Sequence, residues 1–430
     1  MDAFSDPALI ARAQMALSLS FHIVFASVGI AMPVLMVIAE ARWLRTGDKT
    51  DLDLAHRWAK GTAVLFAIGA VSGTVLSFEL GLLFPGFMRL AGPIIGFPFS
   101  LEGFAFFIEA IFLGIYLYGW NRITPKQHLF SGIMVALSGL ASAVFVTFVN
   151  AWMNAPRGFT FADGKLLNID PLGAFQTPFA FHEIVHGSLA AYAATGLAVA
   201  GIHAWALLLG RAPHFHQRAL SIALWVALPA CLLQPLVGHL AGQRIAEHQP
   251  AKLAALEQLQ HTQTRAPLTV GPFEIPGALS VMAFNDPDAR VQGLDAFAPA
   301  DRPPSLVRPA FLIMVSIGTL LALFAAGMAW RHFRRRPPWG DRRILWATVL
   351  MSPLGFVALQ TGWIVTEVGR QPWVVYGVLR TADMATPSPG LGIRLGIFAL
   401  IYLVLAATVV AVLRRHIRAT FTPNLPEGRA

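Results

Sequence analysis

Cysteine and charge are both scarce in this sequence. The single cysteine, Cys231, lies inside an apolar run. It therefore excludes a disulfide framework, a CxxC redox motif and the CxxCH attachment of c-type haem. Charged residues make up only 13% of the chain and hydrophobic residues 56%, whereas a soluble domain carries about 25% charge. With a mean hydropathy of +0.60, the composition is typical of an integral membrane protein.

Two further features are missing. No basic segment precedes the first apolar run, and that run is too long for the core of a signal peptide, so we expect no cleaved leader. No internal repeat is visible, which leaves the inverted-repeat architecture of many transporters unsupported. The net charge of +9 does not indicate nucleic-acid binding, because the basic residues cluster in short loops between apolar runs.

The apolar runs predict an all-α integral membrane fold, a bundle of nine transmembrane helices forming one domain over residues 1–430. A helix needs about 20 apolar residues to cross the hydrocarbon core. Most Lys and Arg residues outside the longest loop fall on one side, which predicts a periplasmic N-terminus and a cytoplasmic C-terminus. The predicted spans are 14–41, 60–83, 96–119, 129–152, 181–209, 219–241, 308–330, 344–367 and 390–413.

One connection is much longer than the others. Residues 242–307 are polar and contain several prolines, and the predicted topology places them on the outer face. Loops of this length are usually functional or disordered. The segment that begins at Lys252 has the pattern of an amphipathic helix, which favours a functional loop.

Ionisable side chains occur inside the predicted spans, where each one is costly and marks a functional site by default. A lone His or Glu could instead bond to a neighbouring helix, Met314 could be ordinary core, and His182 and His186, four apart, could form a two-histidine metal site. The predicted orientation, however, brings five of these side chains to one depth near the outer face, which favours a common site. They are His22, Glu102, His186, Met314 and Glu367.

Imidazole, thioether and carboxylate groups suit haem iron. A His/Met axial pair is typical of an electron-transfer haem, and a single axial ligand leaves a position open for oxygen. Zinc would be expected to show a denser cluster of His, Cys and Asp.

Three segments carry a family resemblance. Residues 362–373 (GWIVTEVGRQPW) match a long and specific signature, residues 100–109 (SLEGFAFFIE) match a characteristic third helix, and residues 252–257 (KLAALE) match the start of a quinol-binding loop. The chain thereby resembles subunit I of the bacterial cytochrome bd quinol oxidases over nearly its whole length. Departures from the family pattern are Leu312, where an arginine is common, and Ala110, where some members have serine. Arg308, one turn before Leu312, is a candidate substitute for the missing charge.

The resemblance implies roles for the ligand residues. His186 and Met314 would be the axial pair of a low-spin haem b. His22 and Glu367 would each bind one of two high-spin haems, a haem b and a haem d or a further haem b in its place. Which of the two each residue binds stays open.

The resemblance also implies the residues that handle quinol and protons. Lys252 and Glu257 would contact quinol within the loop 242–307. Glu102 and Glu109 would lie near the oxygen site and on a proton route from the cytoplasm. Ser142 and Asn150 would be polar groups flanking that route. Trp363 would be the aromatic group between haems, and Arg370 would bind a haem propionate.

The function implied is a quinol:oxygen oxidoreductase, a multi-pass protein of the bacterial cytoplasmic (inner) membrane. Its partners would be subunit II of the oxidase, quinol, O2 and the lipid membrane, without nucleic acid, and the family allows a small single-span subunit. The short loop and the segment 78–85 resemble the cyanide-insensitive branch. Two alternatives are a proton-coupled secondary transporter, which would use Glu102, Glu109 and Glu367, and a non-catalytic membrane haem protein.

Overall fold

The computed structural model describes residues 7–270, 273–384 and 390–420. Within these ranges it is mostly helical, with nine helices long and apolar enough to cross a membrane, which confirms the predicted fold class. Both chain ends, on which the predicted orientation depends, and residues 271–272 of the predicted loop lie outside the described ranges. The helices of the bundle are α1 (Pro7–Thr46), α2 (Lys49–Leu83), α3 (Pro85–Tyr118), α4 (Pro125–Asn154), α5 (Ala180–Leu208), α6 (Pro213–His248), α9 (Val307–Phe333), α10 (Arg342–Met351), α11 (Leu354–Gly369) and α12 (Leu391–Thr420).

Most helices extend beyond the apolar runs that predicted them. Local signals explain where they begin: Asp48 caps α2 by accepting from the Thr50 amide at 2.9 Å, and Thr124 and Gln127 form a capping box at the start of α4. α6 continues to His248, so the predicted start of the long loop at residue 242 is wrong. The polar turns at the ends of these helices stay helical outside the hydrocarbon core, because they contain no residue that interrupts the backbone hydrogen bonds.

The eighth span consists of two helices. α10 ends at Met351 and α11 begins at Leu354, with the break at Ser352 and Pro353. Proline lacks the amide proton that a continuous helix would need there. α11 packs against both α5 and α9. Gly355 allows the approach to α5, since a Cβ at this position would lie only 2.6 Å from Ala194 Cα.

The connections after α4, α6 and α11 meet at one end of the bundle, which we call the loop end. They contain four two-stranded antiparallel sheets and two short helices. The backbone amide of Tyr376 donates to the Met153 carbonyl at 2.9 Å, which joins the last connection to α4. The elements are β1 (Thr160–Ala162) with β2 (Lys165–Leu167), β3 (Gln263–Thr264) with β6 (Arg290–Val291), β4 (Leu268–Val270) with β5 (Phe273–Ile275), β7 (Trp373–Val375) with β8 (Leu379–Arg380), α7 (Pro250–Glu257) and α8 (Ala278–Phe284).

The long connection is folded over its described residues. It has an apolar cluster formed by side chains from α7, α8, β6 and the intervening turns, packed on Ala246 near the end of α6. An ion pair of 2.5 Å between Asp301 and Arg380 ties it to the β7–β8 hairpin. The guanidinium of Arg380 also stacks on the Trp373 ring, with 4.5 Å between the guanidinium carbon and the ring centroid. These contacts attach the loop to the end of α11.

Candidate functional site

The Glu367 carboxylate lies near the end of α11 at the loop end. One of its oxygens accepts from the Asn150 amide of α4, and the other accepts from Arg370 Nη2 at 2.7 Å. Arg370 is 2% exposed, and its Nε and Nη1 atoms have no hydrogen-bond partner within the described chain. Buried donors without partners are costly. Arg370 is therefore suited to a further anionic group.

A chain of hydrogen bonds continues from Asn150 to the loop. Asn154 Nδ2 donates to Asn150 Oδ1 at 3.0 Å and to Glu183 Oε1 at 2.8 Å. Gln249, immediately before α7, donates to Asn154 Oδ1 at 3.0 Å. The sequence analysis did not assign Glu183, Asn154 or Gln249. Position could have indicated two of them, since Glu183 lies one turn before His186 and Asn154 one turn after Asn150.

Lys252 is buried between α7 and α11. Its side chain lies against Gly369, where a Cβ would come within 2.7 Å of Lys252 Cε. Burial lowers the pKa of Lys252, and the Glu183 carboxylate acts in the opposite direction. A cavity of about 240 Å³ lies beside it. Its polar and aromatic lining consists of Lys252, Phe297, Asp301, Arg370, Gln371, Trp373 and Tyr376.

Glu257 ends α7, five residues after Lys252. Its carboxylate forms an ion pair of 3.1 Å with Arg308 in the first turn of α9. Burial raises the pKa of Glu257, and the positive charge of Arg308 opposes that rise. The two predicted quinol contacts thus lie at the two ends of α7, facing α11 and α9 respectively.

Glycines on neighbouring helices pack closely against three of the predicted ligand side chains, His186, Met314 and His22. A Cβ at Gly238 of α6 would lie 3.3 Å from His186 Cε1, and a Cβ at Gly362 of α11 would lie 3.2 Å from Met314 Sδ. His186 Nδ1 is buried without a hydrogen-bond partner in the described chain. The half-buried Trp363 follows Gly362 on α11. His186 on α5 therefore faces α6, and Met314 on α9 faces α11.

His22 lies between α1 and α2. Its Nδ1 is 3.0 Å from Ser72 Oγ, and a Cβ at Gly73 would come within 2.9 Å of its Cε1. Within the described ranges, no three His, Cys, Asp or Glu side chains gather closely enough to hold a free metal ion. The four predicted iron ligands occupy separate places in the bundle.

Glu102 and Glu109 occupy one face of α3. Ser142 Oγ of α4 donates to Glu102 at 3.1 Å. Glu109 is 6% exposed and packs where Gly139 of α4 leaves room, since a Cβ there would lie 3.1 Å from its carboxylate oxygen. Asn150, predicted for the same route, contacts Glu367.

The predicted common depth of the five polar residues is wrong for Glu102. Its partner Ser142 lies eight residues before Asn150 on α4, which places the Glu102 contact roughly 12 Å farther from the loop end than the Glu367 contact. His22 is also deep, because Gln360, seven residues before Glu367, donates to the Ser20 carbonyl at 2.6 Å. The apolar runs misplaced these residues because α1 begins at Pro7 and α3 at Pro85, well before the predicted spans.

A second buried polar cluster lies toward the opposite end of the bundle. His128 Nδ1 is 2.8 Å from Glu40 Oε1, and its Nε2 is 2.8 Å from the Tyr116 carbonyl. Glu40, Tyr116 and His128 are almost completely buried. Tyr116 follows Glu109 by seven residues, so it lies two turns further along the same face of α3. The sequence analysis did not single out this cluster, although spacing alone places Tyr116 in line with both carboxylates.

Comparison with known proteins identifies the fold and the family. The family model "Cytochrome bd terminal oxidase subunit I" matches residues 10–421. A putative cytochrome bd menaquinol oxidase subunit I of Bacillus subtilis (strain 168) is 35% identical, over 96% of this chain and 97% of the relative. A cytochrome bd ubiquinol oxidase subunit 1 of the same organism is 28% identical, over 95% and 93%. The structure of bd oxidase from Geobacillus thermodenitrificans matches with a TM-score of 0.90 and 39% identity, over 97% of this chain and 99% of that chain.

The helical bundle and these matches define a membrane-embedded respiratory oxidoreductase. The chain belongs to the cytochrome bd terminal oxidase subunit I family, whose members are haem-containing quinol oxidase subunits. Cytochrome bd oxidases combine this subunit with a subunit II. Family membership removes the support for the transporter alternative.

The residues present fit haem. The imidazole of buried His186, whose Nδ1 has no partner in the described chain, is suited to bind haem iron. The unpaired guanidinium nitrogens of Arg370 are suited to donate to a haem propionate. Gly73, Gly238 and Gly362 leave space beside His22, His186 and Met314, where larger residues would crowd the side chains.

The Asn154 hydrogen bonds generate a first prediction. Replacing Asn154 with Leu removes the side-chain donor to Glu183 and the side-chain acceptor for Gln249. The bond of Gln249 to the backbone carbonyl of residue 154 remains, so the start of the loop is attached to α4 less firmly. We expect trypsin to cut the segment 249–306 faster, and the free energy of unfolding to fall by about 1–3 kcal/mol. The control is Gln260→Leu, since the exposed Gln260 side chain bonds to the nearby Gln258 carbonyl at 3.3 Å. Equal cleavage rates in both variants would contradict the prediction.

Proposed function

We propose that this chain is the haem-bearing subunit of a terminal quinol:oxygen oxidoreductase that oxidises quinol at the loop end and reduces O2 to water. The observation that carries the proposal is the arrangement at the loop end. There, buried Lys252 lines a cavity together with Arg370, and Arg370 holds Glu367. The loop end is the periplasmic face in this proposal, and the protons for oxygen reduction come from the cytoplasm. The loop at residues 249–306 is the quinol-binding loop.

Four side chains would hold the haems. His186 and Met314 would hold low-spin haem b, and His22 and Glu367 would hold the two high-spin haems, a haem b and a haem d or a further haem b. When bound, the haems carry electrons from quinol to oxygen. Arg370 uses its free donors to hold a propionate, and Trp363 lies on α11 between the ligand positions. Asn150, predicted to flank the proton route, also positions the Glu367 carboxylate.

Lys252 and Glu257 would bind the quinol hydroxyls. Lys252 is a donor whose charge is partly balanced by Glu183, and Glu257 is an acceptor held by Arg308. Both lie on α7, within the folded loop, with Lys252 facing α11 and Glu257 facing α9. Trp373 and Tyr376 add aromatic walls to the cavity beside Lys252.

Protons would reach the oxygen site along α3. Glu109 takes a proton from the side of Tyr116, Glu40 and His128 and passes it toward Glu102 and Ser142, which lie closer to the loop end. The three groups at 102, 109 and 116 repeat every seven residues, so they line one face of the helix. This route begins at the end of the bundle opposite to the quinol loop, which separates proton uptake from proton release.

The proposed setting follows from the family. The chain would be a multi-pass protein of the bacterial cytoplasmic (inner) membrane. It would assemble with a subunit II and, in some arrangements of the family, a small single-span subunit. The large apolar side chains exposed on α3, α9 and α12 are available for lipid and for such partners. Examples are Phe104, Phe107, Leu323, Leu400 and Leu403.

Glu109→Gln tests the proton route. The amide keeps the shape of the side chain but cannot exchange a proton with its neighbours, so we expect quinol-dependent oxygen uptake to fall at least about a hundredfold while all haem absorbance bands remain. The measurement is oxygen consumption by the purified oxidase, with a reduced-minus-oxidised spectrum of the same sample. Glu274→Gln, in the exposed β5 strand, is the control. Oxygen consumption like that of the wild type in Glu109→Gln would rule out the role.

Gly73→Leu tests the assignment of His22. The new side chain would occupy the space of the His22 ring, because even its Cβ would lie 2.9 Å from His22 Cε1. We expect one haem to be lost while the spectrum of the His186/Met314 haem persists. Gly81→Leu is the matched control on α2, since a Cβ at Gly81 meets no atom within 4 Å. A full haem complement in Gly73→Leu would show that His22 is not a haem ligand.

A further inference from the structure

The junction between the loop and α9 contains a buried ion pair. Arg308 is the second residue of α9, and Glu257 is the last residue of α7. Arg308 Nη1 lies 3.1 Å from Glu257 Oε2, and the same nitrogen donates to the Leu256 carbonyl. The two side chains are 10% and 8% exposed. The guanidinium therefore binds both the backbone end of α7 and its terminal carboxylate.

The surroundings of the pair are apolar. Leu256, Val307, Ala310 and Val365 form a buried cluster around the junction. In apolar surroundings each charge is stabilised by the other, since removing one partner leaves an uncompensated buried charge. The Leu256 carbonyl also belongs to the negative end of α7, where a cation is favoured.

Arginine has a specific effect on Glu257. A carboxylate buried alone would favour its neutral form, in which it would be a hydrogen-bond donor through one oxygen. Arg308 is the charged partner closest to Glu257 in the described structure, at 3.1 Å. It therefore favours the ionised carboxylate, which accepts hydrogen bonds through both oxygens. One of these oxygens, Oε2, is bonded to Arg308.

Arg308 also connects the loop with the helix that carries Met314. The two residues are six apart on α9, about 9 Å along the helix axis. Leu312, between them, is apolar and 42% exposed. The positive charge on this part of α9 therefore lies at the loop junction, where it contacts Glu257.

We propose that Arg308 is a positioning residue for quinol oxidation, which orients the Glu257 carboxylate as the acceptor for a quinol hydroxyl and holds the end of α7 against α9. This inference rests on the proposed function, because it assigns a supporting residue to the quinol site. Lys252 has no part in it, since that side chain faces α11 at the other end of α7.

Arg308→Gln is the direct test. The purified oxidase is supplied with menadiol, and in a second series with ubiquinol-1, and KM and kcat are measured separately. We expect KM for quinol to rise about tenfold or more, with the haem spectrum unchanged and oxygen uptake from reduced tetramethylphenylenediamine retained. Arg308→Lys should recover part of the affinity, since it keeps the charge. Arg244→Gln is the matched control, because Arg244 forms an exposed pair of 2.7 Å with Glu247.

A double-variant cycle distinguishes positioning from an independent role. If Arg308 acts through Glu257, Arg308→Gln adds little to the KM increase caused by Glu257→Gln. An unchanged KM in Arg308→Gln, or KM increases that multiply in the double variant, would overturn the proposal. If Arg308→Gln does not assemble, the charge-exchanged double variant Glu257→Arg with Arg308→Glu is measured in its place. Assembly with a raised KM for quinol supports the proposal, and a wild-type KM contradicts it. Absence of quinol-dependent uptake in the wild type would instead refute the proposed function itself.

Discussion

The bundle depends most on the hydrogen-bonded network that encloses Glu367 at the loop end. The Arg370 guanidinium is 2% exposed there and the Glu367 side chain 30%, so losing the carboxylate would leave a buried positive charge without its partner. Arg370 supplies one half of the pair from just beyond α11, and Asn150 supplies a neutral donor from α4. Asn154 then extends the network to Glu183 and Gln249. Three helices and the start of the loop are consequently held in one arrangement by polar contacts.

The network explains why the loop and the bundle form one site. Gln249 is anchored to α4, and Lys252 follows within one turn and packs on Gly369, next to the Glu367–Arg370 pair. At the other end of α7, Glu257 is joined to α9 through Arg308. The short helix α7 is thus attached at both ends to helices that carry predicted iron ligands. In the proposed function, this attachment brings the quinol close to the first electron acceptor.

The sequence predicted the features that depend on local composition or on a contiguous motif. Nine spans followed from apolar length, and the family followed from residues 362–373, 100–109 and 252–257. Depth was predicted less well. His22 and Glu102 lie farther from the loop end than expected, because their helices begin in polar turns that the apolar runs do not include. The break at Pro353 within the eighth span was also invisible, since prolines are tolerated inside other helices of this bundle, such as Pro33 in α1.

Partners distant in sequence could not be predicted at all. Asn150 meets Glu367 across 217 residues, and Glu40 meets His128 across 88. Neither pairing follows from spacing, because each depends on which helices are neighbours. Arg308 is an intermediate case: its proximity to Leu312 suggested a substitute charge, but only the structure identifies Glu257 as its partner. The β7–β8 hairpin beside the Lys252 cavity had no recognisable sequence signal.

The central claim is that the side chains around this network hold haems that carry electrons from quinol to oxygen. One preparation of the purified oxidase tests it most directly, by a dithionite-reduced minus oxidised spectrum followed by oxygen consumption on addition of quinol. The account predicts haem bands from low-spin and high-spin haem and oxygen uptake that starts with quinol. A colourless protein, or haem bands without quinol-dependent oxygen uptake, would contradict it.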